Sequence, residues 1–137
     1  MLWNLIRYGW ALPATLAGLA LVAVVVSTGG RAVLREGVCE ACGGWPGKWL
    51  GLNLPFSGRV SALTIGHVVI GDSASSLAAT RAHEREHVRQ YERWGMALLP
   101  AYLIAGLWVW LRGGHPYRDN AFEVAARKAE ASSRSDG

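Results

Sequence analysis

Residues 72–95 read "DSASSLAATRAHEREHVRQYERWG", and the five letters "HEREH" at 83–87 decide how the chain is understood. No proline interrupts the stretch, Asp72 or Ser73 can cap its start, and Gly95 stands where a helix would stop, so the pattern predicts one long helix. An α-helix turns by about 100° per residue, which sets His83 and His87 one above the other on a single face. Two imidazoles so placed can grip one metal ion. Glu84, a single step round, can reach a water on that metal without being a ligand. Arg81, Arg85, Arg89 and Arg93 recur every four residues on the opposite face, while Gln90, Tyr91 and Trp94 continue the histidine side. The alternative is an i,i+4 network pairing the histidines with Glu84, Glu86 and the arginines. The separation of arginines and histidines onto opposite faces favours metal.

At 137 residues the chain has the size of one domain. Half of it is apolar, seven residues are tryptophan, and two blocks hold much of the apolar content. The first, "ALPATLAGLALVAVVVS" at 11–27, is uncharged, is flanked by Arg7 and Arg31, and has Trp3, Tyr8 and Trp10 as an aromatic belt on one side. At about 1.5 Å per residue it covers most of a hydrocarbon core of about 30 Å, so residues 1–30 read as an N-terminal membrane helix. A cleaved signal peptide fits less well, because "VVVSTGG" lacks the small-residue cleavage pattern and the apolar run is long. Arg31, Arg35 and Lys48 after the helix outnumber Arg7 before it, which points to an integral membrane protein with its remaining chain on the cytoplasmic side.

The net charge of +4 comes almost wholly from arginine. No basic run is interleaved with aromatics as nucleic-acid grooves require, so nucleic acid is not an expected partner and anionic membrane lipid is the better one. Cys39 and Cys42 form a lone "CEAC"; without a second pair they cannot supply four zinc ligands, and they read as ordinary, reduced strand or turn residues.

Between the first apolar block and the long helix, "RAVLREGVCEACGG" reads as two short strands around Glu36-Gly37, and "GRVSALTIGHVVIG" carries β-branched residues in near alternation. A small antiparallel sheet of three or four strands is expected, joined by the less regular "WPGKWLGLNLPFS" at 45–57. The strand leading to the helix has an edge that could hold an extended peptide across a metal. His67 in that strand reads as packed or hydrogen-bonded.

The second apolar block, "GMALLPAYLIAGLWVWL" at 95–111, is at the short limit for a span and contains Pro100. A hydrolytic zinc site has three protein ligands and one open position, so a third ligand is required. Glu123 is the best candidate. If block two crossed the bilayer once, Glu123 would lie on the far side from His83 and His87. The block is therefore expected to re-enter as a helical hairpin broken at Pro100 or Gly106, to lie in the interface, or to pack as a core helix. A helix is expected to start near Pro116 to Asn120 and to end in a disordered tail at 131–137. Asn120-x-x-Glu123 also has the spacing of a capping box, and the local sequence leaves ligand and cap both open.

"HEREH" followed by "NAFEVAAR" resembles the gluzincin zinc metallopeptidases, whose signature is HExxH plus a glutamate from a later helix. The likeness is closest to the minigluzincins and to the membrane-integral gluzincins of the prenyl-protein protease type. It covers residues from about 59 to 128. It implies an α+β, minimal zincin-like domain over 31–130 with an apolar insert at 95–111, Zn2+ held by His83, His87 and Glu123, and Glu84 as general base. His115 and Tyr117 are candidates by position for the group that steadies the oxyanion, although "HPY" could be a simple turn. Many relatives continue as ExxAD where this chain has "EVAAR"; Arg127 cannot be that carboxylate, so a ligand histidine needs another acceptor. The activity so implied is hydrolysis of peptide or protein substrates near the bilayer by a zinc-activated water. A catalytically silent zincin-like membrane scaffold, or a hydrolase of lipids or small amides, are the rivals.

Overall fold

The computed structural model describes residues 1–50, 53–54 and 58–137. In chain order these form α1 (Leu2–Ser27), β1 (Arg31–Arg35), β2 (Val38–Cys42), α2 (Gly44–Leu50), β3 (Asn53–Leu54), β4 (Gly58–Arg59), β5 (Ala62–Ile65), β6 (Val68–Gly71), α3 (Ala74–Trp94), a 3-10 turn (Gly95–Ala97), α4 (Leu98–Leu111) and α5 (Ala121–Ser135). The architecture is α+β. Of the connection expected at 45–57, α2 and β3 are described, and the rest lies outside the described residues.

The main sheet has the order β1-β2-β6-β5, and β3 pairs with β4 as a separate two-stranded ribbon. β1 and β2 form the expected hairpin, turning at Glu36 and Gly37, both with positive φ as tight hairpin turns require. β5 and β6 are likewise antiparallel. β2 and β6 run parallel, with Cys39 opposite Val68 and Cys42 opposite Gly71, so the sheet is mixed rather than wholly antiparallel. The chain between them includes α2 and is long enough for the crossover that a parallel pair needs.

Strand alternation gives β6 two apolar faces, and both are covered. On one side Val68, Ile70 and Ala41 pack under Val25, Leu21 and Val22 of α1. On the other, Val69 and Val38 pack under Leu77 and Val88 of α3. The result is three layers: α1, sheet, α3. Close approach of α1 depends on Gly18, where a Cβ would sit 2.7 Å from Val68 Cβ. A third cluster, Ala11, Ala14, Tyr91 and Leu98, joins α1 to the end of α3 and the start of α4. The helix set apart by sequence as a membrane segment is thus packed on the sheet.

A polar chain reinforces this joint. Arg7 of α1 is ion-paired with Glu92 of α3. His67, in the β5–β6 turn, has Nε2 3.0 Å from Glu92 Oε1 and Nδ1 3.1 Å from the Thr15 hydroxyl, and its ring stacks on Tyr8. His67 is therefore packed and hydrogen-bonded, as expected. Cys39 and Cys42 are free thiols in β2.

Two further expectations are corrected. α4 is one unbroken helix: Pro100 falls in its first turn, where a missing N–H does no harm, and Gly106 is buried against Pro116 and Asn120. The segment 131–135 belongs to α5 rather than to a disordered tail, held by a Glu130–Arg134 ion pair one turn apart and by the Ser135 hydroxyl donating to the Ser132 carbonyl. Two helical runs, Leu2–Ser27 and Ala74–Leu111, are long and apolar enough to cross a membrane; the apolar part of the second is α4.

Candidate metal centre

α3 starts as its sequence dictates, with the Ser73 hydroxyl accepting the Ser76 N–H, and ends at Gly95. Its two faces have separate partners. On one, Arg81 makes a two-pronged bond to Glu40 of β2 at 2.9 and 3.1 Å, and Arg85 reaches Glu36 and the Arg35 carbonyl. On the other, His83 and His87 face α5. The local i,i+3 pair on this helix, Arg89 with Glu86, does not involve the histidines.

α5 is capped by Asn120, whose side chain accepts the Phe122 N–H at 3.1 Å and donates to the Tyr102 carbonyl at 3.0 Å. The Asn120 backbone N–H goes to the Tyr117 carbonyl. Glu123 turns away from the cap and towards α3. The capping box that the sequence allowed is therefore not closed by Glu123, and the cap is made by Asn120.

His83 Nε2 lies 3.1 Å from Glu123 Oε2, His87 Nε2 lies 3.4 Å from Glu123 Oε1, and the two Nε2 atoms are 3.2 Å apart. Neighbouring ligand atoms around a tetrahedral zinc with bonds of about 2.0–2.1 Å stand about 3.3 Å apart. The donor set and its spacing therefore fit a divalent cation with one position left open. Among the described residues this is the group of metal-binding side chains close enough to share an ion.

A partner outside the ligand set fixes the His87 ring. Gln90 Oε1 lies 2.9 Å from His87 Nδ1, and the Gln90 amide donates to the Phe122 carbonyl at 2.9 Å. That carbonyl orients the amide with its oxygen towards the ring, so His87 Nδ1 donates and Nε2 is free for a metal. Glu130, two turns after Glu123, places Oε2 3.7 Å from His83 Nδ1. At that distance it faces the ring nitrogen without a hydrogen bond, while Arg127 donates to the Arg118 carbonyl. The Tyr102 hydroxyl donates to Glu123 Oε1 at 2.8 Å.

Glu84 is 6% exposed, outside the ligand triangle, and its carboxylate accepts the hydroxyl of Thr64 on the edge strand β5. Tyr117 is near enough to feel the charges of Glu123 and Glu84: burial first, then those two charges, pushes its phenol up to about 12. It stays a donor at neutral pH. His115 is engaged differently, its Nδ1 accepting the backbone N–H groups of Tyr117 and Arg118 while its backbone N–H donates to the Asp119 carboxylate. This ring nitrogen holds a turn.

Charge is balanced within the centre. Burial pushes the Glu123 carboxyl up, but hydrogen bonds from His83 and His87 and the charge of His87 outweigh it and hold the group well below the usual carboxylate range. Burial lowers His87, and its bond to Glu123 overrides that, leaving it above the ordinary imidazole value. Metal uptake at such a cluster releases protons.

Gln90, Glu130, Tyr102 and Thr64 were not singled out as site residues by sequence. Gln90 and Glu130 had a signal, lying on the same helical faces as His87 and Glu123; Tyr102 sits within an apolar block and Thr64 in a strand, with nothing local to mark them. Compared with protein-family profiles, curated proteins and solved structures, the chain matches none.

Proposed function

We propose that the chain is a membrane-associated zinc metallopeptidase of gluzincin type, with its catalytic domain on the cytoplasmic side, acting on peptide or protein segments close to the lipid. The observation that carries this reading is the cluster of His83 Nε2, His87 Nε2 and the Glu123 carboxylate, one oxygen of which faces each ring, with Glu84 buried beside it and outside it. His83, His87 and Glu123 would hold the zinc, with Gln90 fixing the His87 imidazole and Tyr102 fixing the carboxylate. When bound, the metal supplies Lewis acidity, making a water nucleophilic near neutral pH and polarising the scissile carbonyl. Glu84 takes the proton of the attacking water and returns it to the leaving amine. Its bond from Thr64 aims the carboxylate. Tyr117 donates its hydroxyl to the developing oxyanion, its phenol staying protonated near neutral pH.

A second reading is favoured by the burial of Glu84 and Glu123, at 6% and 4% exposure: a zinc-stabilised scaffold that binds a partner and does not turn over. One pair of variants separates the two. A peptidase carrying Glu84→Gln retains zinc and loses turnover of a peptide library, while Glu123→Ala loses the metal. Native protein that purifies with zinc but cleaves nothing, whatever the peptide, supports the scaffold. Equal zinc in the native and Glu123→Ala proteins sinks both.

A further inference from the structure

We infer that α1 and α4 lie along the membrane, in one leaflet of an anionic bilayer, rather than crossing it. The inference rests on packing and does not depend on the zinc reading.

α1 touches the folded domain from end to end. Arg7 near its start is paired with Glu92, Thr15 at its middle meets His67, and Val25 near its end lies in the core with Ala41 and Ile70. Upright passage of this helix would carry the sheet and α3 into hydrocarbon beside it. α3 bears Arg81, Arg85, Arg89 and Arg93, and each ion buried in lipid costs several kcal/mol. The other face of α1 cannot face water alone. Leu12, Leu16, Leu19 and Val26 are exposed, and from Gly9 to Ser27 no residue is charged. Lying flat puts that stripe in acyl chains while the sheet stays above.

α4 requires the same arrangement. Its own 14 residues span about 21 Å, and the run reaches the length of a crossing only by including the turn and the arginine-bearing α3 before it. The chain that follows returns Glu123 to His83, so both ends of α4 are on one side. Leu99, Leu103, Ile104, Leu107 and Trp108 are exposed along it. The two helices meet where Leu98 packs on Ala11 and where Gly95 lies against Trp10; a Cβ on Gly95 would come 2.6 Å from the indole. They therefore offer lipid one connected apolar surface.

The rim carries Arg93 and Arg112 as cations, Arg7 being already paired with Glu92. An open groove of about 470 Å³ between the start of α1 and the end of α3 is lined by Trp3, Ile6, Arg7, Trp10, Glu92 and Arg93. At the far end of α4, Arg112 lies 4.3 Å above the Trp108 ring. Indoles and guanidinium groups together at the border of an apolar face suit the headgroup layer of an anionic leaflet.

The full chain expressed in bacterial membranes tests this. In a Cys39→Ser, Cys42→Ser background, Asn4→Cys and Ser27→Cys mark the two ends of α1. A membrane-impermeant maleimide should label both ends in the same vesicle preparation, inverted or right-side-out, and neither in the other. One end labelled in each preparation shows a crossing and overturns the inference. The native protein gives a second measurement free of substitutions. Lipids brominated near the headgroup end of the acyl chain should quench its tryptophan emission several-fold more than lipids brominated near the chain terminus, and binding should weaken several-fold when phosphatidylglycerol is replaced by phosphatidylcholine. Absence of quenching, deeper quenching, or equal binding to the two lipids counts against the one-leaflet anionic seat.

Discussion

Gln90 is the residue through which the neighbouring helix would govern a metal held by His83, His87 and Glu123. Its oxygen faces His87 Nδ1 while its amide is held by the Phe122 carbonyl, so the tautomer of His87 on α3 is set by the backbone of α5. Gln90→Ala should weaken zinc affinity about 10–100-fold, the range for partners behind a ligating imidazole, as read by competition with a chelator. Gln90→Glu keeps the acceptor and should recover most of that affinity; if both variants bind as the native chain does, the imidazole is oriented by something else. Tyr117→Phe addresses a different step. It should leave zinc content unchanged and lower kcat about 100-fold or more, the size of effect seen when one oxyanion donor is removed. An unchanged kcat would return the role to another group. At this scale legibility followed helix geometry. His83, Glu84 and His87 lie in one turn of one helix and could be read from spacing alone. Glu123 could be named but not separated from a cap, because Asn120-x-x-Glu123 satisfies both patterns and only the position of α3 decides. Thr64 and Tyr102 reach the centre from a strand and from an apolar helix, and no local spacing encodes that meeting.

At the scale of elements, the arginine ridge of α3 is a fastener for the sheet. Arg81 holds Glu40 of β2 with two nitrogens, and Arg85 crosses to β1, so the face opposite the histidines decides how α3 is seated. The bond from Arg81 pulls the Glu40 carboxyl below its ordinary value, against the opposing effect of burial and with help from the charges of Arg81, Arg85 and Arg35. A carboxylate depressed on folding stabilises the fold above its unfolded pKa, near 4.3, and that contribution is lost as pH falls through the lower folded value. Native protein should therefore lose stability below about pH 4, whereas Glu40→Gln, lacking this titration, should start about 1–2 kcal/mol less stable at neutral pH and show a shallower acid slope. Parallel slopes in thermal melts would assign the acid sensitivity elsewhere. The elements themselves were read unevenly. α3 and the β1–β2 hairpin follow from cap, period and turn residues. The parallel β2–β6 pairing does not, because alternation within a strand is the same for either neighbour direction. A break of α4 at Pro100 or Gly106 was one of three courses open to that block; α4 runs through both, and a proline in the first turn removes no helical bond.

For the whole molecule, the main consequence is that α1 is part of the fold and not a tether. An uncharged run of this length at the N-terminus reads as an anchor, and hydropathy cannot reveal that its inner face is made of Ala11, Ala14, Gly18 and Val25, spaced to lie on a sheet. Truncation at residue 30, the natural way to free a soluble domain, should therefore fail. It exposes Ala41, Val68 and Ile70 of the core, and it strips His67 and Glu92 of Thr15 and Arg7. Losing the apolar cover of several buried side chains, each contributing about 1.5–3 kcal/mol, exceeds a good part of the 5–15 kcal/mol that holds a typical domain together. A gentler version keeps the helix and separates it from the sheet. Gly18→Leu places atoms where Val68 Cβ and the Ile65 carbonyl already sit, at 2.7 and 2.8 Å from the added Cβ, and should lower stability by about 1–3 kcal/mol or more. Gly9→Leu, which meets nothing within 4 Å, makes the same change in side chain on the same helix without the clash. Melting in detergent compares them: a large drop for Gly18→Leu beside a small change for Gly9→Leu identifies α1 as a packed layer. Equal melting temperatures, or a folded domain that retains zinc after truncation, would reduce the helix to an anchor.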